Sequence, residues 1–118
     1  MVSLVERQKK REERRKALER NCYLIVEQLK ALGALKVIIF GSFVRGEIGL
    51  WSDLDLIAVM PSLLSGKEWR RKIQAEIDRE IACDIIVYNE KELEESIPIS
   101  SFLRHALKEG RVIYEKKP

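Results

Sequence analysis

At 118 residues the chain has the length of one ordinary domain, and 46% hydrophobic residues suffice for a core without disulfide or metal staples. The net charge of +3 is concentrated: residues 1–20 hold eight Lys/Arg against four Glu, leaving +4 there and −1 over everything else. A body so close to neutral argues against a broad nucleic-acid-binding face and leaves phosphate contact to the N-terminal arm alone.

Cys22 and Cys83 sit singly in apolar patterns, and His105 is the one histidine, so a zinc-binding Cys/His cluster is excluded. The N-terminus is charged where a signal peptide needs an apolar core, and no apolar stretch approaches the length of a membrane span. A reducing, cytoplasmic setting is the expectation. Charged residues make up 35% of the chain, above the roughly 25% usual for soluble domains. Growth at high temperature or a partner-binding surface would each account for that excess.

In chain order, Ser3 followed by Glu6 has capping-box spacing and Gly33 is a helix stop, which predicts one long helix over 1–33. Leu18, Cys22, Ile25, Leu29 and Leu32 form its apolar stripe. Continued backward, that stripe meets Arg15, Arg11 and Gln8, so the charged first half is expected to project into solvent or reach a partner. Glu6 with Lys10 and Glu12 with Lys16 have the spacing of favourable helix pairs.

"KVIIF", Lys36 to Phe40, reads as a buried strand ending at Gly41, and "DLDLIAVM" as a second strand stopped by Pro61. Ser65 and Glu68 open a helix whose apolar stripe is Trp69, Ile73, Ile77 and Ile81, and "CDIIVY" is a third strand. A short helix with Phe102, Leu103, Ala106 and Leu107 closes at Gly110, and "RVIY" adds an edge strand. The alternation predicts a single α/β (α+β) domain over 1–118. It would comprise a small mixed sheet packed by helices, a core over 36–88, and a C-terminal helix and edge strand over 99–114.

Chemistry concentrates where the first strand ends. Gly41-Ser42 is followed by a loop containing Arg45, Gly46 and Gly49; the next strand then opens Ser52-Asp53-Leu54-Asp55, and Asp84 lies near the start of the third. Side chains alternate along a strand, so Asp53 and Asp55 share a face. Two carboxylates so placed repel unless water, a cationic partner or a metal ion compensates them. Glycine permits close backbone approach, and backbone N–H groups with a serine hydroxyl suit phosphate oxygens. Hard divalent cations prefer carboxylates combined with substrate phosphates.

"GSFVRGEIGLWSDLDLIAV" resembles the minimal nucleotidyltransferase (MNT) branch of the polymerase β-type nucleotidyltransferase superfamily. Gly41, Ser42, Arg45, Gly46, Ser52, Asp53 and Asp55 match the branch pattern "GSxxRGxxxxxSDxD" position by position, and Asp84 matches its third carboxylate. The resemblance implies the nucleotidyltransferase fold and transfer of a nucleoside monophosphate, AMP from ATP, to an acceptor hydroxyl. Asp53, Asp55 and Asp84 would be catalytic and hold two Mg2+ ions, while Gly41, Ser42, Arg45 and Ser52 would hold the nucleotide. It further implies a HEPN-domain toxin partner, adenylylated on a tyrosine and so neutralised. Other readings stay open: a non-catalytic antitoxin that blocks its partner sterically, or an orphan transferase for a small molecule or nucleic acid. The charged arm is open to partner docking or to homo-oligomer formation. Arg45 also has the bland reading of a surface ion pair, and His105 falls off its helix stripe as a partly exposed structural residue.

Overall fold

A computed structural model describes residues 3–47 and 53–118. Helix α1 spans Leu4–Leu32. Ser3 Oγ accepts from the Glu6 N–H at its start, and Gly33, left-handed at φ 107°, closes it by donating to the Leu29 and Lys30 carbonyls. After it come β1 (Lys36–Phe40), a short helix α2 (Ser42–Arg45), β2 (Leu54–Met60), α3 (Gly66–Glu76) and β3 (Cys83–Asn89). Then α4 (Glu90–Ser96), α5 (Ser101–Glu109) and β4 (Arg111–Glu115) complete the chain.

The four strands form one mixed sheet in the order β3-β2-β1-β4. β1 is antiparallel to β2 and β4, whereas β2 and β3 run parallel, joined through α3. β2 is buried on both faces, which is why its sequence reads as a near-continuous apolar run rather than an alternation. Leu54, Leu56, Ala58 and Met60 pack with Leu18, Ile25 and Leu29 of α1 and Trp69 and Ile73 of α3. Ile57 and Val59 point the other way, with Ile38, and pack on Leu103 and Ala106 of α5. Gly110 lets α5 turn into β4 by close approach rather than by an unusual φ: a Cβ there would lie 2.8 Å from Ile38 Cγ2 and 2.9 Å from the Ile39 carbonyl oxygen.

The structure departs from the sequence expectation in three places. The loop expected after Gly41 begins as α2, because Arg45 N–H bonds the Gly41 carbonyl and Gly46, at φ 75°, ends the turn. Residues 90–96 form a helix that no apolar periodicity announces; Asn89 and Glu92 start it with a reciprocal capping box. The third-strand crossover helix stops at Glu76, so Ile77 is its cap and Ile81 lies beyond it. The chain is drawn out there because α1 captures its backbone: Gln28 Oε1 accepts from Asp78 N–H at 2.7 Å, and Asn21 Oδ1 accepts from Glu80 N–H at 3.0 Å.

Asn21 is fully buried and also donates through Nδ2 to the Ile81 carbonyl at 3.1 Å. Asn21→Ala strands two backbone groups and should cost about 2 to 3 kcal/mol. Urea unfolding checks this; an unchanged midpoint would contradict it. No described helix is long and apolar enough to cross a membrane.

Candidate active site

The site lies at one end of the sheet, where β1 finishes and the parallel pair β2 and β3 begin. Antiparallel pairing sets Phe40 opposite Asp55, and parallel pairing sets Asp84 beside Asp55 on its other flank. Asp55 and Asp84 therefore emerge on one face from adjacent strands, by the same two-residue alternation that buries Leu54 and Leu56 on the opposite face. Asp53 immediately precedes β2 instead of opening it, and it is exposed.

Phe40 meets Phe102 of α5 edge-on, with ring centroids 5.8 Å apart, so apolar surface lies next to the half-buried Asp55. Burial pushes the Asp55 carboxyl above its ordinary pKa, and the negative charges of Asp84 and then Asp53 push it further; Arg45 opposes this only weakly. The three aspartates thus form one electrostatic group. Among the described residues no three His, Cys, Asp or Glu side chains are gathered into a ready metal cage. The donor set still suits a hard divalent cation, which would relieve the repulsion that raises Asp55 and which takes substrate phosphates as further ligands.

Gly41 is buried against this carboxylate. Its φ of 81° and ψ of −154° belong to glycine, and a Cβ would fall on Asp55 Oδ2 and within 3.1 Å of Cγ. Backbone thus occupies space beside Asp55 that any side chain would take. Ser42 follows at the start of α2, half-buried. Ser52, together with Gly49 and Trp51, lies outside the described residues.

Arg45 is engaged. Its Nε donates to Glu47 Oε2 at 3.0 Å and Nη1 to Glu109 Oε1 at 2.8 Å, with His105 Nε2 3.3 Å from the other Glu109 oxygen. The ion-pair reading of Arg45 describes the structure, and any part it takes in phosphate binding begins from these two bonds. The partner Glu109 stands 64 residues away in sequence, beyond the reach of local spacing. Cys22 and Cys83 offer no nucleophile, since burial pushes their thiols up to about 11 and about 12.

The stripe on α1 is phased differently from the sequence expectation. The sheet-facing stripe is Leu18, Asn21, Ile25 and Leu29, and one turn earlier it leads to Arg14 rather than to Arg15. Arg14 is half-buried, with Nη2 3.8 Å from Asp53 Oδ1. Gln8, Arg11, Glu12 and Arg15 line a groove of about 470 Å³ with Phe43 and Val44 of α2 and Arg111 of β4. Residues 3–13 are exposed along their whole length, as expected of the charged half. Of the helix pairs, Arg15–Glu19 closes at 3.3 Å, whereas Glu6–Lys10 and Glu12–Lys16 do not come within ion-pair distance.

The end of this mixed sheet thus carries Asp55 and Asp84 side by side, with Asp53 just before them and a glycine-tight turn against Asp55. The family model described as "Nucleotidyltransferase domain" matches residues 22–114, and the chain belongs to that family. No curated protein matches the sequence. The crystal structure of a candidate nucleotidyltransferase from Sulfolobus solfataricus superimposes with a TM-score of 0.65 at 21% identity, over 91% of this chain and 88% of that one. At that identity the likeness speaks for the fold.

Proposed function

We propose that this nucleotidyltransferase domain transfers AMP from ATP to an acceptor hydroxyl, with Asp53, Asp55 and Asp84 as its metal-holding and catalytic carboxylates. The observation that carries the reading is Asp55: a strand-borne carboxylate set in register with Asp84, raised by its acidic neighbours, with glycine backbone pressed against it. Magnesium, when bound, would neutralise phosphate charge and lower the pKa of the acceptor hydroxyl. Asp53 and Asp55 would hold both cations, with Asp84 as the third ligand beside them, and Gly41 with Ser42 would orient phosphate oxygens. Asp84, exposed at the sheet end, takes the hydroxyl proton. The acceptor oxygen bonds to the α-phosphorus as the bond from that phosphorus to pyrophosphate breaks.

The acceptor we propose is a tyrosine of a HEPN-type toxin, whose modification makes this chain an antitoxin. The resemblance of residues 41–55 to the minimal branch supports this. So does the presence of a groove and a charged helix beside the site, to which a partner can add the surface that grips base and acceptor. The test is incubation of both proteins with magnesium and ATP labelled at the α-phosphate. Label on a partner tyrosine is expected. An unlabelled partner, still neutralised by a chain with all three aspartates changed to Asn, would replace the proposal with steric blocking.

A further inference from the structure

We propose that Glu109, the last residue of α5, is a positioning residue of the transfer site, holding the Arg45 guanidinium in place for the triphosphate beside Asp55. The inference rests on the nucleotidyl-transfer reading and adds to the site a residue of the C-terminal helix, outside the strands and the glycine turn.

The fold itself brings Glu109 to the site. Pairing of Ile39 with Arg111 sets the junction of α5 and β4 beside the end of β1, from which Gly41 and α2 emerge. Gly110 approaches Ile38 and the Ile39 carbonyl too closely for a side chain, so the backbone next to Glu109 is fixed to that strand. The Glu109 side chain is 21% exposed, and its Oε1 accepts from Arg45 Nη1 at 2.8 Å. Its other oxygen stands 3.3 Å from His105 Nε2, one helical turn back.

Local helix chemistry does not call for this residue. The carbonyl end of a helix carries partial negative charge, so a carboxylate is disfavoured in the last turn, where Lys108 is suited. The bond to Arg45 offsets that cost. Arg45 is tied close to the acidic groups, since its backbone N–H donates to the Gly41 carbonyl and Gly41 lies against Asp55. Its charge also reaches Asp55, where it favours the ionised form against burial and the acidic neighbours. Glu47 takes the Nε–H and Glu109 one Nη1–H, which leaves the second Nη1–H and the Nη2 edge as donors for phosphate oxygens. An arginine already held in one orientation enters a complex without giving up the rotamer freedom that a loose side chain loses. Glu109 thereby favours nucleotide binding without touching the nucleotide.

The test is calorimetric titration of the full chain with magnesium and an ATP analogue whose α,β-bridge cannot be cleaved, run as a double-mutant cycle. Glu109→Ala should weaken binding about five-fold, and Glu109→Gln, which keeps an acceptor for Nη1, should recover part of the loss. Arg45→Ala should weaken binding at least as much, and adding Glu109→Ala to it should cost nothing further, because Glu109 acts through Arg45. Thermal melting of each variant checks that it is folded. Equal or tighter binding by Glu109→Ala would overturn the inference, the tighter case making Glu109 a competitor of phosphate for Arg45. Losses that add in the double variant would overturn it as well. Absence of binding by the unaltered chain would overturn the transfer reading together with this one, whereas normal binding with an unaffected Glu109→Ala would remove this one alone.

Discussion

Replacing Asp55 with Asn should reduce nucleotidyl transfer by about 1,000-fold or more and at the same time raise the melting midpoint slightly, the gain being small because solvent screens a half-exposed carboxyl. Both effects come from one carboxylate. Its pKa in the folded chain is raised, first by burial and then by Asp84 and Asp53, so the folded state binds that proton more tightly than the unfolded state does. Stability therefore increases as pH falls through the folded pKa, and the ionised group costs stability above it. Asn removes that cost, and the advantage of the variant should shrink on acidification. In the proposed reaction the ionised form holds a cation, so activity of the unaltered chain should fall over the same acidic range. Magnesium should raise the melting midpoint of the unaltered chain and leave Asp55→Asn nearly unmoved. A variant that melts lower, or that keeps its activity, would contradict this account of the site.

Gly41→Ala is expected to be the most damaging change among the glycines near the site. The residue sits at φ 81° and ψ −154°, where an L side chain is strained, and its new Cβ would collide with the Asp55 carboxyl. Strain of this kind costs about 1 to 3 kcal/mol, and displacement of a catalytic carboxylate by even 1 Å can cost about 100-fold in rate. Chemical unfolding and steady-state transfer rates together check it. Gly46→Ala is the comparison: its φ is also positive at 75°, yet a Cβ there meets nothing within 4 Å. It should lose stability with little effect on rate. Equal rate losses for the two would show that backbone strain, rather than the Asp55 contact, is responsible.

The ends of α1 and the strands were legible because each depends on local spacing: a cap, or a run of β-branched residues. The pairing that sets Asp84 beside Asp55 joins two strands and is not given by spacing within either. Ser3 and Gly33 bound the first helix as their chemistry requires, and "RVIY" became the edge strand β4. Tertiary capture was illegible. Ile77 and Ile81 have helical spacing, but Gln28 and Asn21 of α1 hold the backbone between them in an extended path. The acidic helix α4 carries a cap signal, Asn89 with Glu92, and no apolar stripe to draw notice to it.

The contact of Arg14 with Asp53 was missed because the helix stripe was phased on Cys22, a half-buried residue, instead of on the polar but fully buried Asn21. An asparagine in the core side of a stripe looks like an interruption until its partners, the backbone groups of Glu80 and Ile81, are seen. The engagement of Arg45 by Glu109 was hidden for a similar reason, since only the fold brings α5 to the end of β1.

The most direct measurement is the binding of manganese(II), a paramagnetic substitute for magnesium, followed by electron paramagnetic resonance with the non-cleavable ATP analogue present. Saturable uptake by the unaltered chain, lost when Asp53, Asp55 and Asp84 are all changed to Asn, is the predicted result. Equal uptake by the two proteins would contradict the role given to the carboxylates, as would no uptake by either.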